Sequence, residues 1–148
     1  MSRTEEFVTS AAGVAVATVA MSAVMVAGDR MGLMGEQPPT AVTRAALGGV
    51  GADDPPGTAD LIAPVAHLGF GATAGVVYGL TRRLFPRVPG VALGPMFGLG
   101  VWAVSYKGWI PALGILPQPD DDRPDRPTVM VVAHVVYGVV LGWLVGPR

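Results

Sequence analysis

Four long stretches without a single charged side chain set the limits on this chain: Phe7 to Gly28, Leu61 to Leu80, Val88 to Tyr106 and Val129 to Gly146. A helix needs about 20 mostly apolar residues to cross the hydrocarbon core of a bilayer. Backbone exposed to lipid must satisfy its own hydrogen bonds, which leaves helices and closed barrels, and the strand alternation of a barrel is absent. The fold class that follows is an all-α integral membrane protein, a four-transmembrane-helix bundle forming a single domain over residues 1–148. Composition agrees, since only 14% of residues are charged against about 25% in soluble domains. The first apolar stretch exceeds the roughly 7–15 residue core of a signal peptide and reads as a retained helix.

The connections differ in character. Asp29 to Asp60 is long and acidic, with turn signals at Gln37-Pro38-Pro39 and Asp53-Asp54-Pro55-Pro56-Gly57. Within it, residues 40–50 read as a short helix with Val42, Ala45, Ala46 and Leu47 on one side. It lies either at the membrane interface or in an ordered loop. The short link after the second span carries Arg82, Arg83 and Arg87 and no acid, whereas the link after the third carries Asp120, Asp121, Asp122 and Asp125 with Arg123 and Arg126. Basic residues near span ends favour the cytoplasmic face. The two sides hold equal numbers of them, but the three clustered arginines tip the expectation. Both termini are expected in the cytoplasm, with the protein in the cell (plasma or inner) membrane.

The second and fourth spans repeat one another. Val65-Ala66-His67 matches Val132-Ala133-His134, and Phe70-Gly71, Gly75 and Gly79 match Tyr137-Gly138, Gly142 and Gly146. The first and third spans correspond less clearly. The chain therefore divides into two similar hairpins, about residues 7–80 and 88–146, forming a parallel internal repeat. Residues four apart share one helix face. Gly71, Gly75 and Gly79 form one small-residue seam, Gly138, Gly142 and Gly146 a second, and Gly90, Gly94 and Gly98 a third. Such seams let helix backbones approach closely in lipid, either within the bundle or between copies of a homo-oligomer.

The two histidines are the residues best placed to carry chemistry. Each lies roughly 9–10 Å along its helix at 1.5 Å per residue, so they share a depth on the outer side. An ionisable group inside a span is a functional candidate by default. Three readings stand: each imidazole bonds a neighbouring helix near Thr18, Ser22, Ser105 or Tyr106; the pair lines a polar path; or the pair grips one cofactor. His67, His134, Tyr106 and Ser22 form the candidate polar or cofactor site. Haem, which two imidazoles can ligate, is the alternative to an expectation of no cofactor. Zinc lacks the further ligands it needs, so no metal is expected. Lys107, Trp109 and Trp143 read as interface anchors, and Pro95 as a bend in the third span. No catalytic motif is present. Near-neutral charge without a basic block excludes nucleic acid as an expected partner. The expected partners are the bilayer and either further copies of this chain or another membrane protein.

The small-residue first span, the proline turn after it, His67-x-x-Phe70-Gly71, Gly108-Trp109-Ile110-Pro111 and His134-x-x-Tyr137-Gly138 together resemble the YagU-like four-span inner-membrane family. The resemblance implies location and architecture and carries no settled activity. The expected function is that of a small multi-pass membrane protein supporting transport or maintaining the envelope. The rival is a membrane redox protein holding haem between His67 and His134.

Overall fold

The computed structural model describes residues 3–51 and 55–145, with side chains from Ser10 onward. Among these residues the structure is helical throughout, with no strand. Helix α1 (Arg3–Arg30) ends where Gly32 and Gly35 adopt positive φ, a conformation that glycine reaches without steric cost. Helix α2 (Pro38–Gly49) opens on two prolines, whose missing N–H groups cost nothing in a first turn. Helix α3 (Thr58–Leu84) follows, then α4 (Gly90–Val104), and finally α5 (Arg126–Leu144).

Three of these segments are long and apolar enough to cross a membrane: Ser10–Arg30, Thr58–Leu84 and Arg126–Leu144. The helices overrun the uncharged stretches that announced them. Arg82 and Arg83 continue α3, and Arg126 opens α5, because backbone hydrogen bonding does not stop at the edge of an apolar run.

The third stretch departs most from expectation. Its regular α-helix covers 15 residues. It then widens into a π turn at Ser105–Trp109, where the Ile110 N–H donates to the Ser105 carbonyl, and closes with Ile110–Ala112. Pro111 supplies a physical reason. It has no N–H for the i−4 carbonyl, and its ring crowds that carbonyl in a regular helix. Adding one residue to the turn before it relieves the clash. Gly114, at φ 69°, ends the segment while the Ile115 N–H reaches back to the Ile110 carbonyl at 3.1 Å.

Helix α5 is central, packing most extensively against α4 and next against α1, while α3 rests on α1 and α2. The interior mixes apolar side chains such as Met21, Met34 and Leu141 with polar ones. Tyr78, Tyr106, Tyr137, His134 and Thr18 are among the most deeply buried side chains. Leu61, Val65, Val76 and Leu84 of α3 face outward, and Leu61 is 81% exposed. Contiguous apolar surface of this kind marks a membrane or protein partner.

The short helix was expected to turn Val42, Ala45, Ala46 and Leu47 to one side. In the structure α2 buries Pro38, Thr40, Ala41 and Thr43, half-buries Val42 and Leu47, and leaves Ala45 and Ala46 exposed. Its proline-led end docks onto the bundle, so its facing is set by that contact.

Candidate functional site

The face of α5 that meets α4 has almost no side-chain volume. A Cβ built on Gly90 would lie 2.4 Å from the Gly142 carbonyl oxygen, and one on Gly94 only 2.1 Å from that of Gly138. One on Gly98 would lie 2.1 Å from the His134 carbonyl oxygen. Here backbone meets backbone. The seam on α3 meets side chains of α1 instead, Gly71 against Thr18 and Gly75 against Val14. Gly79 faces open space, and Gly146 lies outside the described residues.

These contacts hold α3 and α5 with their histidines turned toward one cavity of about 100 Å³. Met21 and Met25 of α1, Ala66, His67 and Phe70 of α3, and Met130 and His134 of α5 form its walls. Ser105, Trp109 and Ile110 from the widened turn complete them, and Pro38, Pro39, Val42 and Thr43 of α2 close over it. One helical turn beyond the histidines, the Tyr137 hydroxyl donates to the Gly71 carbonyl at 3.0 Å and ties α5 to α3.

His134 is 2% exposed, and its Nδ1 lies 2.7 Å from the carbonyl of Met130 in its own helix. A carbonyl only accepts, so Nδ1 carries the proton. This differs from the expected bond to a neighbouring helix. The His67 Nε2 is buried without a hydrogen-bond partner among the described residues, which is costly unless something supplies one. The Ser105 hydroxyl donates to Val101 at 2.7 Å and that of Thr43 to Pro39 at 2.8 Å. Both oxygens keep lone pairs with which to accept. The site is an apolar chamber with a few convergent polar atoms.

Two candidates from the sequence do not join it. Ser22 is half-buried away from the lining. Tyr106 donates its hydroxyl to Asp122, in the loop before α5. The residue on the wall is its neighbour, Ser105. Among the anchors, Lys107 and Trp143 are exposed, whereas Trp109 is half-buried against the cavity. Its position in the widened turn points the indole inward.

The sequence reading missed a second polar cluster. Asp122 and Arg126 pair at 2.9 Å with both side chains almost wholly buried. The Arg126 Nε donates to the Met34 carbonyl at 2.7 Å, and Arg123 donates to that of Gly32 at 3.0 Å. The loop before α5 is thereby tied to the loop after α1. The four-residue spacing of Asp122 and Arg126 at a helix start was the available signal.

Among the described residues, no group of three or more His, Asp or Glu side chains could hold a metal ion. Residues 57–143 match the model of a family described as "Protein of unknown function (DUF1440)". The chain belongs to this family. The DUF1440 match opens one residue before α3 and runs to the last turn of α5, so it includes both histidines and the seam between α4 and α5. No curated protein and no solved structure matches the chain.

Proposed function

We propose that this DUF1440 protein is a four-span protein of the cell membrane, built from two like hairpins, that binds a small solute between His67 and His134 in support of transport or envelope maintenance. The observation that carries the reading is that two histidines, 67 residues apart in the repeat, line one chamber. The fourth crossing is the run from Gly90 through the π turn to Ala112. It falls short of a regular span only because the turn interrupts it. The repeat draws support from contact order. Gly138 and Gly142 meet Gly94 and Gly90 as Gly71 and Gly75 meet Thr18 and Val14. The YagU-like resemblance belongs to the same reading, as do both termini in the cytoplasm beside Arg82, Arg83 and Arg87.

Size sets the ligand class. The chamber, at about 100 Å³, is nearer to the roughly 150 Å³ that hold one benzene-sized molecule than to the about 300–1,000 Å³ of drug-sized pockets. A compact solute with an apolar body and one hydrogen-bonding end fits, as does a short water chain. A haem needs the helices to part. The link from Tyr137 to Gly71 disfavours an open path through the bundle, which makes this a binder rather than a channel.

The test is native mass spectrometry of detergent-purified protein beside its absorption spectrum. A small bound mass in the wild type, missing from a folded His67→Ala/His134→Ala variant, supports the reading. Identical ligand-free spectra for both refute it, and a Soret band would install the haem reading instead.

A further inference from the structure

At the opposite end of the bundle from the histidines, a cavity of about 660 Å³ opens between the α3–α4 link and the end of α5. Among the described residues its lining includes Arg82, Arg87, Gly90, Gly142 and Trp143, and no carboxylate. Arg82 is half-buried. It donates through Nη1 to the Val88 carbonyl of the link, which fixes the guanidinium, while its buried Nε has no partner among the described residues. Arg82 lines the cavity, and a charge-assisted hydrogen bond from a guanidinium to an oxyanion is among the strong ones. Arg87 is exposed on the same wall. Gly90 and Val91 line the cavity as the first residues of α4, where N–H groups have no intrahelical acceptor and the helix dipole favours negative charge. Trp143, 73% exposed, sits at the mouth, and an indole in that position suits the headgroup layer.

We propose that this cavity is a phosphate-binding site, seating the phosphate of an anionic lipid headgroup between Arg82, Arg87 and the first turn of α4. The inference goes beyond the histidine chamber and rests on the membrane reading only for the lipid as the source of the phosphate. The arrangement suits an oxyanion. A guanidinium held in place, a second arginine and a helix start converge on one space, and no acid among the described lining residues competes. Arg83, adjacent in sequence, is absent from the lining and serves as the internal control.

The full-length chain, purified in neutral detergent, is mixed in separate runs with phosphatidylglycerol, with phosphatidylcholine and with millimolar inorganic phosphate, and retained mass is read by native mass spectrometry. Phosphatidylglycerol is expected to be kept in preference to phosphatidylcholine. Retention falls by about tenfold in Arg82→Gln and in Arg87→Gln, the scale of one lost charge-assisted contact, and is unchanged in Arg83→Gln. Displacement of the lipid by inorganic phosphate, with the same dependence on the two arginines, keeps the site and assigns it to free phosphate. Equal retention of both lipids without phosphate binding overturns the proposal, as does equal sensitivity to all three arginines. Arg87→Gln removes an exposed side chain, so the test survives if Arg82→Gln fails to fold. Flotation with neutral vesicles reports membrane insertion separately.

Discussion

The seam between α4 and α5 and the seam between α1 and α3 use the same glycine spacing to different ends. In the first, glycines on both helices bring the two backbones together, and the nearest atoms to an added Cβ are carbonyl oxygens. In the second, glycines on α3 alone make notches, which Thr18 and Val14 of α1 fill with side chains. A row of glycines thus specifies how near a partner can come, but the partner decides whether backbone or side chain takes the space. The difference also predicts plasticity. A side chain can be trimmed to make room, whereas a backbone carbonyl cannot.

The largest effect concerns the buried pair that ties the loop before α5 to the loop after α1. Arg126→Ala leaves Asp122 buried and unpaired and the Met34 carbonyl without its donor. Removing one partner of such a pair costs about 3–5 kcal/mol, to be read as a loss of unfolding free energy in mixed micelles. If Arg126→Ala is as stable as the wild type, the two halves are held by their helices alone.

Gly94→Ala and Gly98→Ala come next, at about 1–3 kcal/mol each, the range for overpacking. No trimming of α5 side chains is expected to restore them, because the clash is with backbone. Recovery of Gly94→Ala by a small-residue substitution on α5 would erase the distinction between the seams.

Gly71→Ala is expected to cost about 1–2 kcal/mol, the lower part of that range, and to be partly rescued by Thr18→Ala. That substitution removes the hydroxyl and methyl that a new Cβ would meet. The double-mutant cycle should give a coupling of about 1 kcal/mol; strict additivity would contradict the notch geometry.

Gly79→Ala is the smallest effect, within about 0.5 kcal/mol, since nothing lies within 4 Å of the added carbon. A large loss there would reveal a partner helix against α3, which a crosslinking measurement could then locate.

The helices were legible because runs such as Phe7–Gly28 and Val129–Gly146 have only one solvent in which they fit. The glycine faces were legible too, because a four-residue spacing fixes which side of a helix is bare. What lay across from each face was not legible, since that depends on how separate helices cross and no local pattern encodes it. This is why Gly71 and Gly138 looked equivalent yet meet a threonine and a glycine. The polar site was half visible. His67 and His134 stood out as the only imidazoles, but sequence spacing alone placed Tyr106 beside them. Ser105 and Tyr106 are neighbours about 100° apart on a helix, so they face different ways: Ser105 takes the wall and Tyr106 turns to Asp122.

Most interior positions can drift in either direction, losing a methyl here and gaining one there while a neighbour compensates. Gly94 and Gly138 have no such freedom. Hydrogen is already the smallest substituent, so every replacement moves the same way, toward bulk, against an oxygen that cannot be exchanged for something shorter. Sequence change at this crossing is therefore one-sided, and the spacing of α4 from α5 is a quantity the chain can only enlarge.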